Sequence, residues 1–398
     1  MINVGIGFSS QRDPRRAAGE IIQQAKAKIG ERKINLAFLF GTIEFSHLGI
    51  NQIVSELLGE EINIIGCSSA AVISNEGILR NGLGIMLLSL PEDIHIHTAY
   101  VKEIGIKSTL QAGEELAQNL LYQKEGMRRN LGLIFCDGLI QDEANFISGL
   151  QERLGLSFPL VGGWASDNLS FLKTFLYFKQ ITFNNAACGV IFGGRLNFGL
   201  GIKHGWKPLG KPRYVTRSFR NIIYEIDNLP AVQIYQDYLA SHITQLKKDL
   251  RRISVLYPIG IYLPGEDEYL LRNLISIEEN GALVLQGNIP QGSQIRLMIG
   301  TKESALEATK VAVEEAKKGL SNQTANFALI FTSVSRYIFL GRYAVQELEI
   351  IKKSLGKDTP LLGIYTYGEA APLKAIGYHG KAYFHNQTIT ILVLRGMD

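Results

Sequence analysis

Asn63-Ile64-Ile65-Gly66-Cys67-Ser68-Ser69 is an apolar strand that ends in glycine and a short polar loop, and the pattern occurs three times. Its second copy is Pro159-Leu160-Val161-Gly162-Gly163-Trp164-Ala165 and its third Pro360-Leu361-Leu362-Gly363-Ile364-Tyr365-Thr366. An apolar run precedes each copy, at 36–40, 131–135 and 327–331, with a helical stretch between run and glycine. Another strand and helix lie upstream, and a last strand closes each unit. The order strand–helix–strand–helix–strand–strand–strand therefore appears near 2–90, 94–193 and 293–394, and such repetition fixes the fold before any local propensity does.

Helix signals recur with the repeats. Asp13 precedes Pro14 and a stripe of Ala17, Ala18, Ile21, Ile22, Ala25 and Ile29 that stops at Gly30, a capped amphipathic helix. Ser108 with Gln111, and Ser304 with Glu307, have capping-box spacing at the matching places. Second helices are predicted near 47–58, 142–154 and 342–355, closed by Gly59, Gly155 and Gly356. A strand–helix–strand connection of this kind is a right-handed crossover between parallel strands, whose carboxyl ends share one edge of the sheet. Residues 332–336 should then meet 365–369, 41–44 should meet 67–70, and 136–142 should meet 163–167. The fold class is α/β, with mixed and partly parallel sheets. The stretch 198–292 does not follow the unit. Strands are expected at 198–204, 214–226, 254–263, 271–276 and 282–286, with a helix over 230–241. Two closely packed parts are expected, 1–215 and 216–398, with the cut between 195 and 225.

A chain of 398 residues with 46% hydrophobic and 20% charged residues can bury a large core, and its net charge of +4 demands no anionic partner. Cys67, Cys136 and Cys188 are scattered and odd in number, which fits free thiols in a reducing compartment. No segment has the roughly 20 apolar residues of a membrane span, and Met1 to Ser10 reads as a strand and not a signal peptide. A cytoplasmic protein without membrane partners is expected. Lys203, Lys207, Lys211, Arg213, Arg217 and Arg220 alternate with apolar residues as on a half-exposed strand, so nucleic acid is not the expected partner. Gly199, Gly201 and Gly205 lack the dinucleotide spacing and read as strand glycines.

The order of motifs resembles the FIST family, named for F-box and intracellular signal transduction. The residues that carry the resemblance are Gly66-Cys67-Ser68-Ser69-Ala70, Gly162-Gly163-Trp164-Ala165-Ser166-Asp167, Gly205-Trp206-Lys207-Pro208-Leu209-Gly210 and Glu225-Ile226-Asp227-Asn228-Leu229-Pro230-Ala231. Gly363-Ile364-Tyr365-Thr366-Tyr367-Gly368-Glu369 and Phe384-His385-Asn386-Gln387-Thr388 complete them. The resemblance implies a sensory module that binds a small ligand, an amino acid or related metabolite, and passes the signal to a separate protein partner. In one subgroup it implies haem and nitric oxide. Two departures stand out: Ala71-Val72 where the family has Gly-Glu, and Ser333 and Ser335 where Cys and Gly flank the Arg.

The residues themselves point to a binding site at the shared strand edge. An Arg336 fork suits a carboxylate or a phosphate, with Tyr365, Thr366, Tyr367 and Glu369 opposite and Ser335 beside it. The alternative is that Arg336 and Glu369 pair and tie two loops together. Cys67, Ser68, Ser69, Trp164, Asp167, His385 and Asn386 complete the candidate set. Cys67 follows a glycine as a nucleophile would, but no His can be placed beside it, so an inert buried thiol is expected and no catalytic residue is assigned. His385 is expected to be a loop hydrogen-bonder and not a haem ligand, no His/Cys spacing suits zinc, and no cofactor is expected. The sequence thus predicts a non-enzymatic sensor for a small, anionic metabolite, with a haem-binding gas sensor, a thiol-dependent enzyme and a ligand-free interaction scaffold as the alternative readings.

Overall fold

The computed structural model describes residues 1–46, 48–122, 128–266, 268–373 and 380–397. Asp13, in extended conformation, accepts the Arg16 N–H at 2.8 Å, and Pro14 opens the helix Pro14–Ile29, which buries the entire predicted stripe. Ser108 caps Thr109–Leu121 in the same way, accepting from the Gln111 N–H. The third cap differs from expectation. Thr301, not Ser304, starts the helix Lys302–Gly319: Thr301 accepts from the Ser304 N–H, and Ser304 returns the bond to the Thr301 N–H. The second helices end as the glycines demand, at Leu58, Leu154 and Leu355.

Each unit contains the expected parallel pair: Leu36–Thr42 with Asn63–Ser69, Arg129–Cys136 with Leu160–Trp164, and Phe327–Ser333 with Leu361–Thr366. The repeated glycine has a steric cause. Gly66, Gly162 and Gly363 stand opposite Leu39, Ile134 and Ile330, and a Cβ there would lie 1.8, 1.9 and 2.7 Å from the facing carbonyl oxygen. No other residue fits.

The third unit is assembled differently from the sequence reading. Its first strand is Leu196–Lys203, which pairs antiparallel with Ile389–Gly396 as Asn3–Ser9 pairs with Leu83–Ser89. Gln294–Ile299, taken from sequence as that strand, belongs to a different sheet. Gly199 and Gly201 mark the true strand. They let the backbone of Lys302–Gly319 approach, their Cβ positions lying 1.8 Å from the carbonyl oxygens of Ala316 and Ala312. Gly5 and Gly7 do the same for Pro14–Ile29. Between strand and helix, an antiparallel domain is inserted, built on Lys207–Phe219, Ile222–Ile226, Ile259–Ile261, Leu270–Arg272, Leu274–Ile277, Leu283–Leu285 and Gln294–Ile299. The expected cut at 215 falls inside the unbroken strand Lys207–Phe219. Part of the predicted 254–263 strand is instead the helix Leu250–Leu256.

A short hairpin follows each glycine strand, and it leaves its own unit. Val72–Ser74 and Gly77–Leu79 extend the sheet of the third unit, Leu176–Phe178 and Ile181–Phe183 that of the first, and Gly368–Pro372 with Ala382–His385 that of the second. Exchange among three partners closes a ring. The inner faces of the three six-stranded sheets meet in one core, where Phe40 and Phe331 flank Phe135 with ring centroids 5.4 and 5.9 Å away.

Candidate functional site

Because the exchanged hairpins hold the three units around one core, the loops after their glycine strands converge and bond to one another. The Ser68 hydroxyl donates to the Ser166 carbonyl at 2.9 Å, and Ser69 Oγ accepts the Tyr365 N–H at 3.0 Å. Ser166 Oγ donates to the Tyr365 carbonyl and accepts the Ala70 N–H. Cys67 is buried beneath them, its thiol pushed well up by desolvation and further by Cys188. Trp164 is buried edge-on against Phe384, with centroids 4.9 Å apart. Cys67, Ser68, Ser69 and Trp164 are therefore buried parts of the hub, and they are not among the residues that line the cavity described below, contrary to their place in the candidate set.

Arg336 is the largest correction. It is fully buried on the helix Val334–Leu340 and makes no hydrogen bond to the glycine loop among the described residues. Its guanidinium pairs with Glu347 at 2.6 Å and also donates to the carbonyls of His204 and Ala305 and to the Thr309 hydroxyl. Neither sequence reading of Arg336 holds, because its carboxylate partner is Glu347 from the next helix. Glu369 lies elsewhere, accepting from the hydroxyls of Thr366 and Thr388. Burial pushes its carboxyl up to about 8, against those two bonds. Tyr365 packs on Tyr337 inside the core. His385 donates its Nε2–H to the Ala371 carbonyl, 2.9 Å away, and desolvation holds it neutral with its pKa lowered to about 3. Buried and already bonded, it does not fit the role of a haem ligand. Asn386 accepts from the Asn273 N–H.

A hollow does exist at the expected edge, and three of the predicted residues line it. Ser335, Thr366 and Tyr367 meet residues 138–143 of the second unit and residues 250–251, 254–255, 273–275 and 284–287 of the inserted domain around a cavity of about 650 Å³. Asn273 ties the pieces together, donating to Ser335 Oγ at 3.1 Å and to Gln286 Oε1 at 3.0 Å, while Gln286 donates to the Tyr367 carbonyl.

Asp167 organises the rim. Its carboxylate accepts the backbone N–H groups of Ser170, Phe171, Leu172 and Lys173, the Ser170 hydroxyl, and the Tyr367 hydroxyl. Burial alone would raise its pKa, but these bonds, Tyr367 first among them, hold it below the usual value. Leu169 and Phe171 of this loop lie in the left-handed region, at φ 73° and 53°. Phe171 then stacks on Tyr367 with centroids 4.4 Å apart.

Asn273, Gln286 and Glu143 were not foreseen. Asn273 and Gln286 belong to the insertion, whose position over the ring no local pattern encodes. Glu143 was within reach, since it opens a helix directly after a strand's carboxyl end. The basic strand carries its own counter-charges: Arg213 pairs with Asp227 and Asp237, and Arg217 with Glu225.

These features define a class: an α/β protein of three linked units, with a ligand-sized cavity where strand ends meet an inserted domain. Two family models match consecutive parts of the chain, the FIST N domain over residues 35–229 and the FIST C domain over 231–372. The chain belongs to the FIST family, which is associated with sensing in signal transduction. It is 28% identical to an uncharacterised protein of Methanocaldococcus jannaschii over 274 residues, 64% of this chain and 51% of that one. The chain thus spans about half the length of that relative. An uncharacterised Mycobacterium tuberculosis protein is 22% identical over 94% of this chain and 95% of its own. Among solved structures, cyanuric acid hydrolase from A. caulinodans aligns over 100% of this chain and 99% of its own, at 8% identity and a TM-score of 0.38, too remote to carry an argument. Among the described residues no helix is long and apolar enough to cross a membrane.

Proposed function

We propose that this protein is a non-enzymatic sensor that takes a small molecule into the cavity between the inserted domain and the ring. The observation that carries the reading is the composition of the wall, which brings together the second unit, the third unit and the insertion. Largely apolar cavities with a few convergent polar groups are the usual small-molecule sites. A molecule seated there touches all three pieces, so its differential affinity would bias how the insertion sits on the ring. That shift would change the surface offered to a separate signalling partner in the cytoplasm, where three free, buried cysteines suit reducing conditions. The anionic ligand expected from sequence rested on Arg336, and that support is gone because Arg336 is committed to Glu347.

The test is a thermal-shift and calorimetric panel of amino acids, organic acids, amines and nucleotides against the wild type and Ser335→Trp, which fills the cavity. Saturable binding without turnover, lost in Ser335→Trp, is expected. Hydrogen exchange should slow in residues 250–256 and 273–287 when the ligand is bound. Silence across the panel would favour a ligand-free scaffold, and turnover would favour an enzyme.

A further inference from the structure

Glu143 is the first residue of the helix Glu143–Leu154, is 6% exposed, and lies in the cavity wall. Among the described residues no other side chain hydrogen-bonds to its carboxyl, which is supported by its own backbone N–H. The neighbouring buried carboxyls are all engaged: Glu369 by Thr366 and Thr388, Asp137 by Thr174 and the Leu139 and Asn185 amides, Glu347 by Arg336. A carboxyl this buried is costly unless a donor or a charge meets it directly, and the buried Arg272 reaches Glu143 only through its field, because its guanidinium donates to the carbonyls of Leu271, Asn288 and Phe384. The space beside Glu143 is a cavity with Leu139, Leu169, Val255, Leu274 and Ile338 in its walls. Arg251, the basic residue among those lining the cavity, is exposed and keeps its charge in water, so it cannot offset the desolvation of a buried anion.

Resting on the cavity being the binding site, we propose that its ligand is a small apolar amine or another molecule with a protonated-nitrogen head. The head donates to the Glu143 carboxylate while the hydrocarbon body lies against the apolar wall. Burial pushes the Glu143 carboxyl up to about 7, against its own N–H and Arg272 and together with Asp142. Cys136, at the end of the adjacent strand, is held protonated by its own burial. On the elements packed against this helix, Glu114 pairs with Arg153, and His385 is neutral. An ammonium with a pKa of about 10 stays charged throughout, so acidification removes only the carboxylate partner.

The experiment is calorimetry on the full chain with three probes of matched size: 2-phenylethylamine, 2-phenylethanol and 3-phenylpropanoate. Proteins are the wild type, Glu143→Gln and two cavity-filling variants, Ser335→Trp and Ile338→Trp, each checked for an intact melting transition. The amine should bind the wild type at pH 7.5 at least tenfold tighter than the alcohol or the acid. It should weaken at least tenfold in Glu143→Gln and at least tenfold at pH 5.5, and it should fail to bind the filled variants. The acid binding tighter than the amine, yet still blocked by the filling variants, would overturn the amine proposal and leave the cavity as the site. Binding by none of the probes, or binding indifferent to both filling variants, would overturn the proposal and count against the cavity as well.

Discussion

The carboxyl edges of the three parallel strand pairs come from one repeated pattern, yet the first unit closes its edge while the second and third open theirs onto a cavity. In the first unit Phe45 is buried and Ser46 Oγ meets the Tyr177 hydroxyl at 2.5 Å, filling the space after Leu36–Thr42. In the second and third units the corresponding segments, 138–143 and 333–338, meet the insertion at Asn273 and Gln286 and leave about 650 Å³ open. A scaffold repeated three times therefore leaves this cavity on two of its edges, because the third unit carries the domain that roofs it. Repetition supplies the loops, and asymmetry supplies the pocket.

Changes on the closed, bonded side of this comparison should have the largest effects. Arg336→Ala leaves Glu347 buried and unpaired, and should cost roughly 3–5 kcal/mol or abolish folding. Denaturant unfolding measures it, and an unchanged midpoint would return Arg336 to the ligand set. Next comes Glu369→Gln. The folded carboxyl holds its proton up to about pH 8, whereas the unfolded one loses it near 4.3. The native state therefore binds more protons between those values, and stability falls as pH rises through that window, by at most about 1.4 kcal/mol per unit. Neutral Gln should flatten this slope between pH 5 and 8, as read from melting curves.

On the open side the effects should be smaller and more local. Asp167→Asn should release the amides of Phe171, Leu172 and Lys173 to fast hydrogen exchange while changing global stability by no more than about 2 kcal/mol. A global loss as large as that of Arg336→Ala would show that rim and hub unfold as one. Thr301→Ala removes one helix cap at the base of the insertion and should cost about 1 kcal/mol, with ligand affinity unchanged.

Much of the scaffold could be read directly from the chain. The three glycines at 66, 162 and 363, the stripe from Ala17 to Ile29 and the helix stops at 59, 155 and 356 are local signals, and the structure uses each as its chemistry requires. Gly199 and Gly201, spaced like Gly5 and Gly7, carried the clue to the third unit's first strand and outweigh the strand signal at 294–299. The site was less legible. Ser335, Thr366 and Tyr367 follow from parallel-strand topology, which sets the edge where they emerge, but topology does not fix where a side chain points once it leaves the strand.

That remaining information resides in packing between distant segments. Repeat order, strand direction and helix caps are set by residues a few positions apart, so the sequence alone determined a three-unit α/β protein with its loops on shared edges. Only the tertiary structure decided that hairpins pass to a neighbouring sheet, that Arg336 turns to Glu347, and that an insertion roofs two edges and not three. Each of these outcomes depends on which desolvated group finds a partner, and that partner lies 11 residues away for Arg336 and 62 for Ser335 with Asn273.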